Sequence, residues 1–143
     1  MTYEIGDKSK PTVVLIHGYG GSALVFFRLY KHFKEKYHVI MIDLLGKGAS
    51  SRPYFLADTQ EEAENFHIQA LEKWREKMGL EKMTLIGHSF GGYVSAKYTI
   101  SHPDRVERLI LWSPLGVENE PPNLTEKLKL TIRRDNFVVA SWK

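Results

Sequence analysis

The chain has 143 residues, of which 43% are hydrophobic, 26% charged and 12% aromatic, a profile that excludes a disordered or fibrous chain and fits one soluble globular domain. It contains no cysteine, which excludes a disulfide framework, a thiol nucleophile and a thiolate metal site. The net charge of +3 sits at the end, where residues 123–143 carry five Lys and Arg against two acids; it is too small and too poorly interleaved with aromatics for a nucleic-acid groove.

In chain order, Thr2 to Ile5 reads as a short strand turned by Gly6-Asp7. The N-terminus has neither a basic, apolar signal nor a transit pattern, and no apolar run approaches the ~18 residues of a membrane span. The expectation is a cytosolic protein, at most peripheral to a membrane or lipid droplet. Pro11 to His17 is a β-branched apolar run, as expected of a strand covered on both faces. After the glycine-rich Gly18-Tyr-Gly-Gly-Ser22, the pattern predicts a helix over Leu24 to Phe33 capped by Ser22. Tyr37 to Asp43 is a second buried strand, followed by the loop Leu44-Leu-Gly46-Lys-Gly48-Ala-Ser-Ser-Arg-Pro53.

Thr59 and Glu62 spell a capping box for the longest helix, with Ala63, Phe66, Ala70, Leu71, Trp74 and Met78 on one face and Gly79 at its end. Glu81 to Ile86, with Met83, Leu85 and Ile86, is a third buried strand, a helix runs from Tyr93 to His102-Pro103, and Arg105 to Ser113 is a fourth strand. Strands alternating with helices through short links predict an α/β fold, a doubly wound, mostly parallel sheet with helices on both faces. Ligand-binding loops then converge at the carboxyl ends of the strands, at Gly18, Leu44 and Ser89.

The stretch that carries chemistry is Met83-Thr-Leu-Ile-Gly-His-Ser-Phe-Gly-Gly-Tyr93. Gly87-x-Ser89-x-Gly91 between a strand and a helix matches the turn that lifts a nucleophilic serine above a sheet. A side chain at 87 or 91 would collide across so tight a turn. The helix N-terminus behind Ser89 favours a developing oxyanion.

Three landmarks, His17-Gly18-Tyr-Gly-Gly21, Asp43-Leu-Leu-Gly46-Lys-Gly48-Ala-Ser50 and Gly87-His88-Ser89-Phe-Gly91, occur in the order seen in α/β-hydrolases, and the chain resembles that family from about Lys10 to Gly116. Asp43 to Pro53 and His102-Pro-Asp-Arg-Val-Glu-Arg-Leu-Ile-Leu111 further resemble the branch of N-acyl phosphatidylethanolamine lysophospholipases and lipid-droplet lipase activators. The resemblance implies Ser89 as nucleophile, with the backbone N–H groups of Tyr19 and Phe90 as oxyanion hole. It gives His17, Gly18, Asp43, Gly46, Gly48, Gly87, His88 and Gly91 structural roles. Activators of that branch carry asparagine at the nucleophile position, so the serine here favours a lipid or lysophospholipid ester hydrolase.

The family's triad runs Ser, then Asp or Glu, then His, yet beyond Trp112 the only acids are Glu118, Glu120, Glu126 and Asp135, and the last histidine is His102. The resemblance therefore covers an incomplete α/β-hydrolase core, its N-terminal part over residues 1–122. By resemblance, residues 123–143 begin a lid or cap. There Asn123 and Glu126 form a capping box, Leu124, Leu128 and Ile132 make an apolar stripe flanked by Lys and Arg, and Phe137, Val138, Val139 and Trp142 follow as anchors for an anionic membrane. By itself the chain is expected to be inactive. His32, His38, His67 and His102 read as ordinary helix or strand positions, and His38 with Asp43 reproduces an acyltransferase spacing by coincidence. No His and acidic cluster has metal-ligand spacing, so neither metal nor cofactor is expected. Two alternatives stand beside the hydrolase: a non-catalytic lipid-binding or lipase-activating domain, and a dinucleotide-binding domain suggested by Gly18-x-Gly20-x-x-Ala23 with Asp43 at the end of the next strand.

Overall fold

The computed structural model describes residues 1–116 and the strand Phe137–Ala140. Among them, β1 (Thr2–Ile5), β2 (Thr12–Ile16), β3 (His38–Ile42), β4 (Met83–His88), β5 (Val106–Trp112) and β6 (Phe137–Ala140) form one sheet in the order β1-β3-β2-β4-β5-β6. β1 runs antiparallel to β3, and every other neighbouring pair is parallel.

The alternation along β2 divides the core in two. Val14 and Ile16 face one side with Ile40, Leu85 and Leu109, beneath α2 (Gln60–Lys77) and α3 (Phe90–Ser101). Val13 and Leu15 face the other with Val39, Met41 and Phe26, beneath a 3-10 turn (Ala23–Phe26) and the single turn α1 (Tyr30–Phe33). Both faces of the central strands are thus covered, which accounts for their continuous apolar runs. The chain leaves β2 to one side for β3, then crosses to the other side for β4. Loops after β2 and β4 therefore part over a crevice at the carboxyl edge of the sheet, the place where open α/β sheets bind ligands.

α2 begins as its sequence predicts. Thr59 Oγ1 accepts the Glu62 N–H at 3.2 Å and Glu62 Oε2 accepts the Thr59 N–H at 3.0 Å, while Gly79, at φ 68°, ends the helix. Its most buried residues are Ile68, Leu71 and Arg75, whereas the expected face, apart from Leu71, is only half-buried. Arg75 is buried because it is paired: its guanidinium meets Glu72 at 2.7 Å and donates to the Leu80 carbonyl. The Tyr98 hydroxyl of α3 donates to the same carboxylate.

Two expectations are corrected. Leu24 to Phe33 is not one helix, and Ser22 makes no capping bond. The Ala23 N–H goes instead to Asp43 Oδ1 at 2.6 Å, and the following amides reach back only three residues, Val25 to Ser22, Phe27 to Leu24 and Leu29 to Phe26. Bonds that reach back three residues define a 3-10 turn, and the Ala23 N–H, which would have no partner inside the turn, is satisfied by Asp43. The second correction concerns local structure: Phe137-Val-Val-Ala140, for which no strand is expected from the sequence, lies along β5 from Leu109 to Trp112 as β6. A short β-branched apolar run beside an open strand edge gains a ladder of backbone hydrogen bonds there. The helix expected from Asn123 lies outside the described residues.

The Glu72 cluster makes a testable link between pH and stability. The Arg75 guanidinium holds the Glu72 carboxyl at about 2, below its ordinary 4.5. A carboxyl depressed in the fold contributes its stability in full above about pH 4.5 and loses it as pH falls towards 2. Glu72→Gln is expected to lower stability at pH 7 by about 2 kcal/mol and to flatten the pH dependence across that window, as read from urea melts at stepped pH.

Candidate active site

β4 ends at His88, α3 begins at Phe90, and Ser89 alone makes the turn between them, at φ 52° and ψ −118°. A non-glycine residue in that region carries strain of about 1–3 kcal/mol, held only where the surroundings fix it. Here they do. The Ser89 N–H donates to the Trp112 carbonyl at 3.1 Å, and the Ser89 carbonyl accepts from Tyr93 at 3.1 Å and Leu115 at 3.0 Å. The Ser89 side chain makes no capping bond to the helix and is half-exposed, which leaves its hydroxyl available at the crevice.

The glycines are set by close approach. A Cβ on Gly87 would stand 2.5 Å from the Gly91 carbonyl oxygen and 2.6 Å from Ser95 Oγ, and one on Gly91 would stand 2.7 Å from the Ile16 carbonyl carbon. One on Gly18 would stand 3.0 Å from the Ser89 Cβ, so the loop after β2 lies directly on the serine. Tyr19 follows in that loop, and no described backbone carbonyl accepts the N–H of Tyr19 or of Phe90 in the surrounding turns. Their rings meet edge to face at 6.4 Å.

His17 and Asp43 form the polar support beneath. The Leu44 N–H donates to His17 Nε2 at 3.1 Å, and His17 Nδ1 lies 2.7 Å from the Gly18 carbonyl oxygen. An acceptor at Nε2 and a donor at Nδ1 describe a neutral ring with both nitrogens occupied, which is not a free base. The buried Asp43 carboxylate accepts from Ala23 N and, at 2.8 Å, from Ala49 N. Gly48, at φ 50°, is where a Cβ would run into that carboxylate, and Gly46, at φ 77°, turns in open space. Because both Asp43 oxygens are engaged with the backbone, the dinucleotide reading loses the acid it needs for a ribose. His38 stands at the opposite end of β3, bonded to Glu4 at 2.7 Å, so its spacing to Asp43 makes no joint site.

Among the described residues none of the other histidines is hydrogen-bonded to Ser89, although a Cβ on Gly18 would stand 3.2 Å from His88 Nδ1 as well as 3.0 Å from the Ser89 Cβ. His88 packs against Trp112 at 5.5 Å, His32 is exposed on α1, and His102 stacks on Tyr98 at 4.8 Å. His67 has a different setting from the ordinary helix position its sequence suggests. Its Nδ1 is buried without a hydrogen-bond partner, its ring meets Phe66 and Phe90 at 5.2 Å each, and burial, then the Lys47 charge, push its pKa down. Among the described residues no His, Asp and Glu group is arranged to hold a metal ion.

Beside the turn lies a cavity of about 510 Å³ between the 44–55 loop, the first half of α2 and the start of α3. It reaches the turn through Tyr19 and Phe90, and Ser89 itself is not part of its wall. Phe55, Phe66 and Val94 give it an apolar lining, and Lys47 and Arg52 belong to its loop side. In the sequence these two cations read only as part of a glycine-punctuated loop, with nothing to show that they face a cavity.

Residues 11–137 match the family described as alpha/beta hydrolase fold. Over 122 residues the chain is 44% identical to a probable 1-acylglycerol-3-phosphate O-acyltransferase of Oryza sativa subsp. japonica, covering 85% of this chain and 30% of that protein. It is 40% identical over 120 residues to the Homo sapiens (lyso)-N-acylphosphatidylethanolamine lipase, covering 84% and 35%. A solved bacterial membrane phospholipase A superposes with a TM-score of 0.74 at 28% identity, covering 87% of this chain and 39% of that one. The chain thus spans about a third of the length of these curated relatives.

The close approach of Gly91 to β2 predicts a contrast between two glycines. Gly91→Ala is expected to cost about 3 kcal/mol or more, since backbone must move. Gly20→Ala, with nothing within 4 Å of the new Cβ and only its φ of 70° to strain it, is expected to cost about 1 kcal/mol. Denaturant midpoints of the two variants check this.

Proposed function

The chain belongs to the alpha/beta hydrolase fold family, and from that premise we propose that Ser89 is the nucleophile for carboxylic-ester chemistry on lipid or lysophospholipid substrates. The observation that carries the reading is the backbone of Ser89, a serine kept at φ 52° and ψ −118° by three backbone hydrogen bonds at the mouth of the crevice. Strain fixed so thoroughly at one hydroxyl is what a nucleophile on a strand-to-helix turn requires.

In this mechanism Ser89 Oγ attacks the acyl carbon, the ester C–O bond breaks, and the acyl group remains on Ser89 until water releases it. The Tyr19 and Phe90 amides receive the oxyanion, each such donor lowering the barrier by about 3 kcal/mol. The proton of Ser89 needs an acceptor. No described histidine is hydrogen-bonded to Ser89, and His17 has both nitrogens engaged. We assign the base and its acid to further sequence in a polypeptide of the relatives' length, of which this chain spans about a third. The names of the rice and human relatives both refer to acylated phospholipids, which supports the lipid part of the reading.

That no described base is hydrogen-bonded to Ser89 favours one second reading, a lipid-binding or lipase-activating domain without turnover. Two measurements separate them. In a polypeptide of the relatives' length, a fluorophosphonate probe is expected to label Ser89, and Ser89→Ala to reduce ester turnover by about 10⁴-fold or more; unlabelled serine and unchanged turnover would overturn the assignment. The 143-residue chain alone is expected to show negligible multiple turnover, and a brisk rate lost in Ser89→Ala would reveal a base within it.

A further inference from the structure

We propose that the cavity beside Ser89 binds one single-chain amphiphile with an anionic head group, its chain against Phe66, Phe90 and Val94 and its head on Lys47 and Arg52. This rests on the lipid side of the function above and not on turnover at Ser89. Three features of the cavity carry it.

The first is size and lining. At about 510 Å³ it falls within the range of roughly 300–1,000 Å³ typical of small-molecule sites, which are mostly apolar with a few placed polar groups. Phe66 and Phe90 are half-buried and Val94 is buried, so the deep wall is hydrocarbon and aromatic.

The second is the charge left over. Three cations, Lys47, Arg52 and Lys97, and one carboxylate, Glu64, line the cavity. Glu64 is fully engaged, with Lys97 Nζ at 3.1 Å, Gln60 Nε2 at 2.7 Å and the Tyr93 hydroxyl donating to it. The Glu64 and Lys97 charges cancel. Lys47 and Arg52 form no ion pair with a described acid, so the cavity carries an uncompensated positive charge at its loop side.

The third is placement. Lys47 Nζ lies 4.0 Å above the Tyr19 ring, a cation held on an aromatic face. Arg52 is fixed by donating to the Ser50 and Gly48 carbonyls at 3.2 and 3.1 Å. Those bonds use part of the guanidinium fork and leave donors for an oxyanion. Lys47 also acts on His67 across the cavity, since its charge helps depress that ring's pKa. Lys47 thus marks the end of the cavity nearest Tyr19, with Arg52 on the same 44–55 loop side, where a head group would sit with the chain running inward.

The source of the anion is tested by calorimetry on the 143-residue chain with dodecyl phosphate below its micellar concentration, dodecyl maltoside and inorganic phosphate. Dodecyl phosphate is expected to bind one per chain, about tenfold more weakly in Lys47→Ala and again in Arg52→Ala, the loss of one charge-assisted contact each. Dodecyl maltoside is expected to bind more weakly and to be indifferent to both substitutions, and inorganic phosphate not to saturate. The His67 ring resonances should move with dodecyl phosphate alone. Lys47 and Arg52 lie at the surface, and unchanged urea midpoints would show that the variants fold. Equal binding of dodecyl phosphate by the parent and the double variant, inorganic phosphate binding as tightly as the amphiphile, or no saturable binding at all would each overturn the proposal. Since binding is read without turnover, an unreactive Ser89 leaves this result untouched, and a failure of binding leaves Ser89 to its own test.

Discussion

Everything at the carboxyl edge of the sheet depends on how closely α3 approaches β2. Gly91 sits so near the Ile16 and His17 carbonyls that no side chain fits between them. That contact brings the first turn of α3 against the loop after β2, and only then can Gly18 lie against the Ser89 side chain. A helix start normally offers free N–H groups; here Phe90, at the start of α3, meets Tyr19 of the loop after β2, their rings edge to face at 6.4 Å. The two segments come this close because glycines remove the atoms that would keep them apart.

The polar groups under that edge act as spacers. Asp43 joins the starts of two segments, the 3-10 turn at Ala23 and the 44–50 loop at Ala49. His17 joins the same loop at Leu44 to its own following carbonyl. Each of these buried groups is satisfied by backbone, and an unsatisfied one would cost about 1–3 kcal/mol. A His and an Asp in adjacent strands thus resemble catalytic parts in sequence while serving as joints in the fold. Hydrogen-bond partners distinguish the two roles, and residue type alone does not.

The parts of the fold that were legible in the sequence are those governed by local rules. The capping box at Thr59 and Glu62, the end of α2 at Gly79, the buried runs of β2, β3 and β4, and the glycines around Ser89 all follow from propensity, periodicity or sterics within a few residues. The misses have long-range causes. The segment expected as one helix after Ser22 is a 3-10 turn and a single α-turn, and the partner of its first amide, Asp43, lies twenty residues on. Arg75 is buried because Glu72 and Tyr98 surround it, and periodicity counted only the apolar neighbours. β6 depends on the free edge of β5, which the run Phe137-Val-Val-Ala140 does not itself reveal. The cavity escaped for the same reason, since Lys47 and Arg52 on one loop face Phe66 and His67 on a helix only after folding.

The interface between α2 and α3 shows why that cavity keeps its shape. At one end Glu72 on α2 accepts from Tyr98 on α3, and at the other Glu64 on α2 accepts from Tyr93 on α3 while pairing with Lys97. The same device therefore fixes both ends of the contact, with apolar Ile68 and Leu71 buried between. These two contacts hold α2 against α3 with His67 packed on Phe90 at 5.2 Å. A helix pair braced in this way sustains an open space next to a strained serine, and that combination links the packing of the fold to the chemistry at its edge.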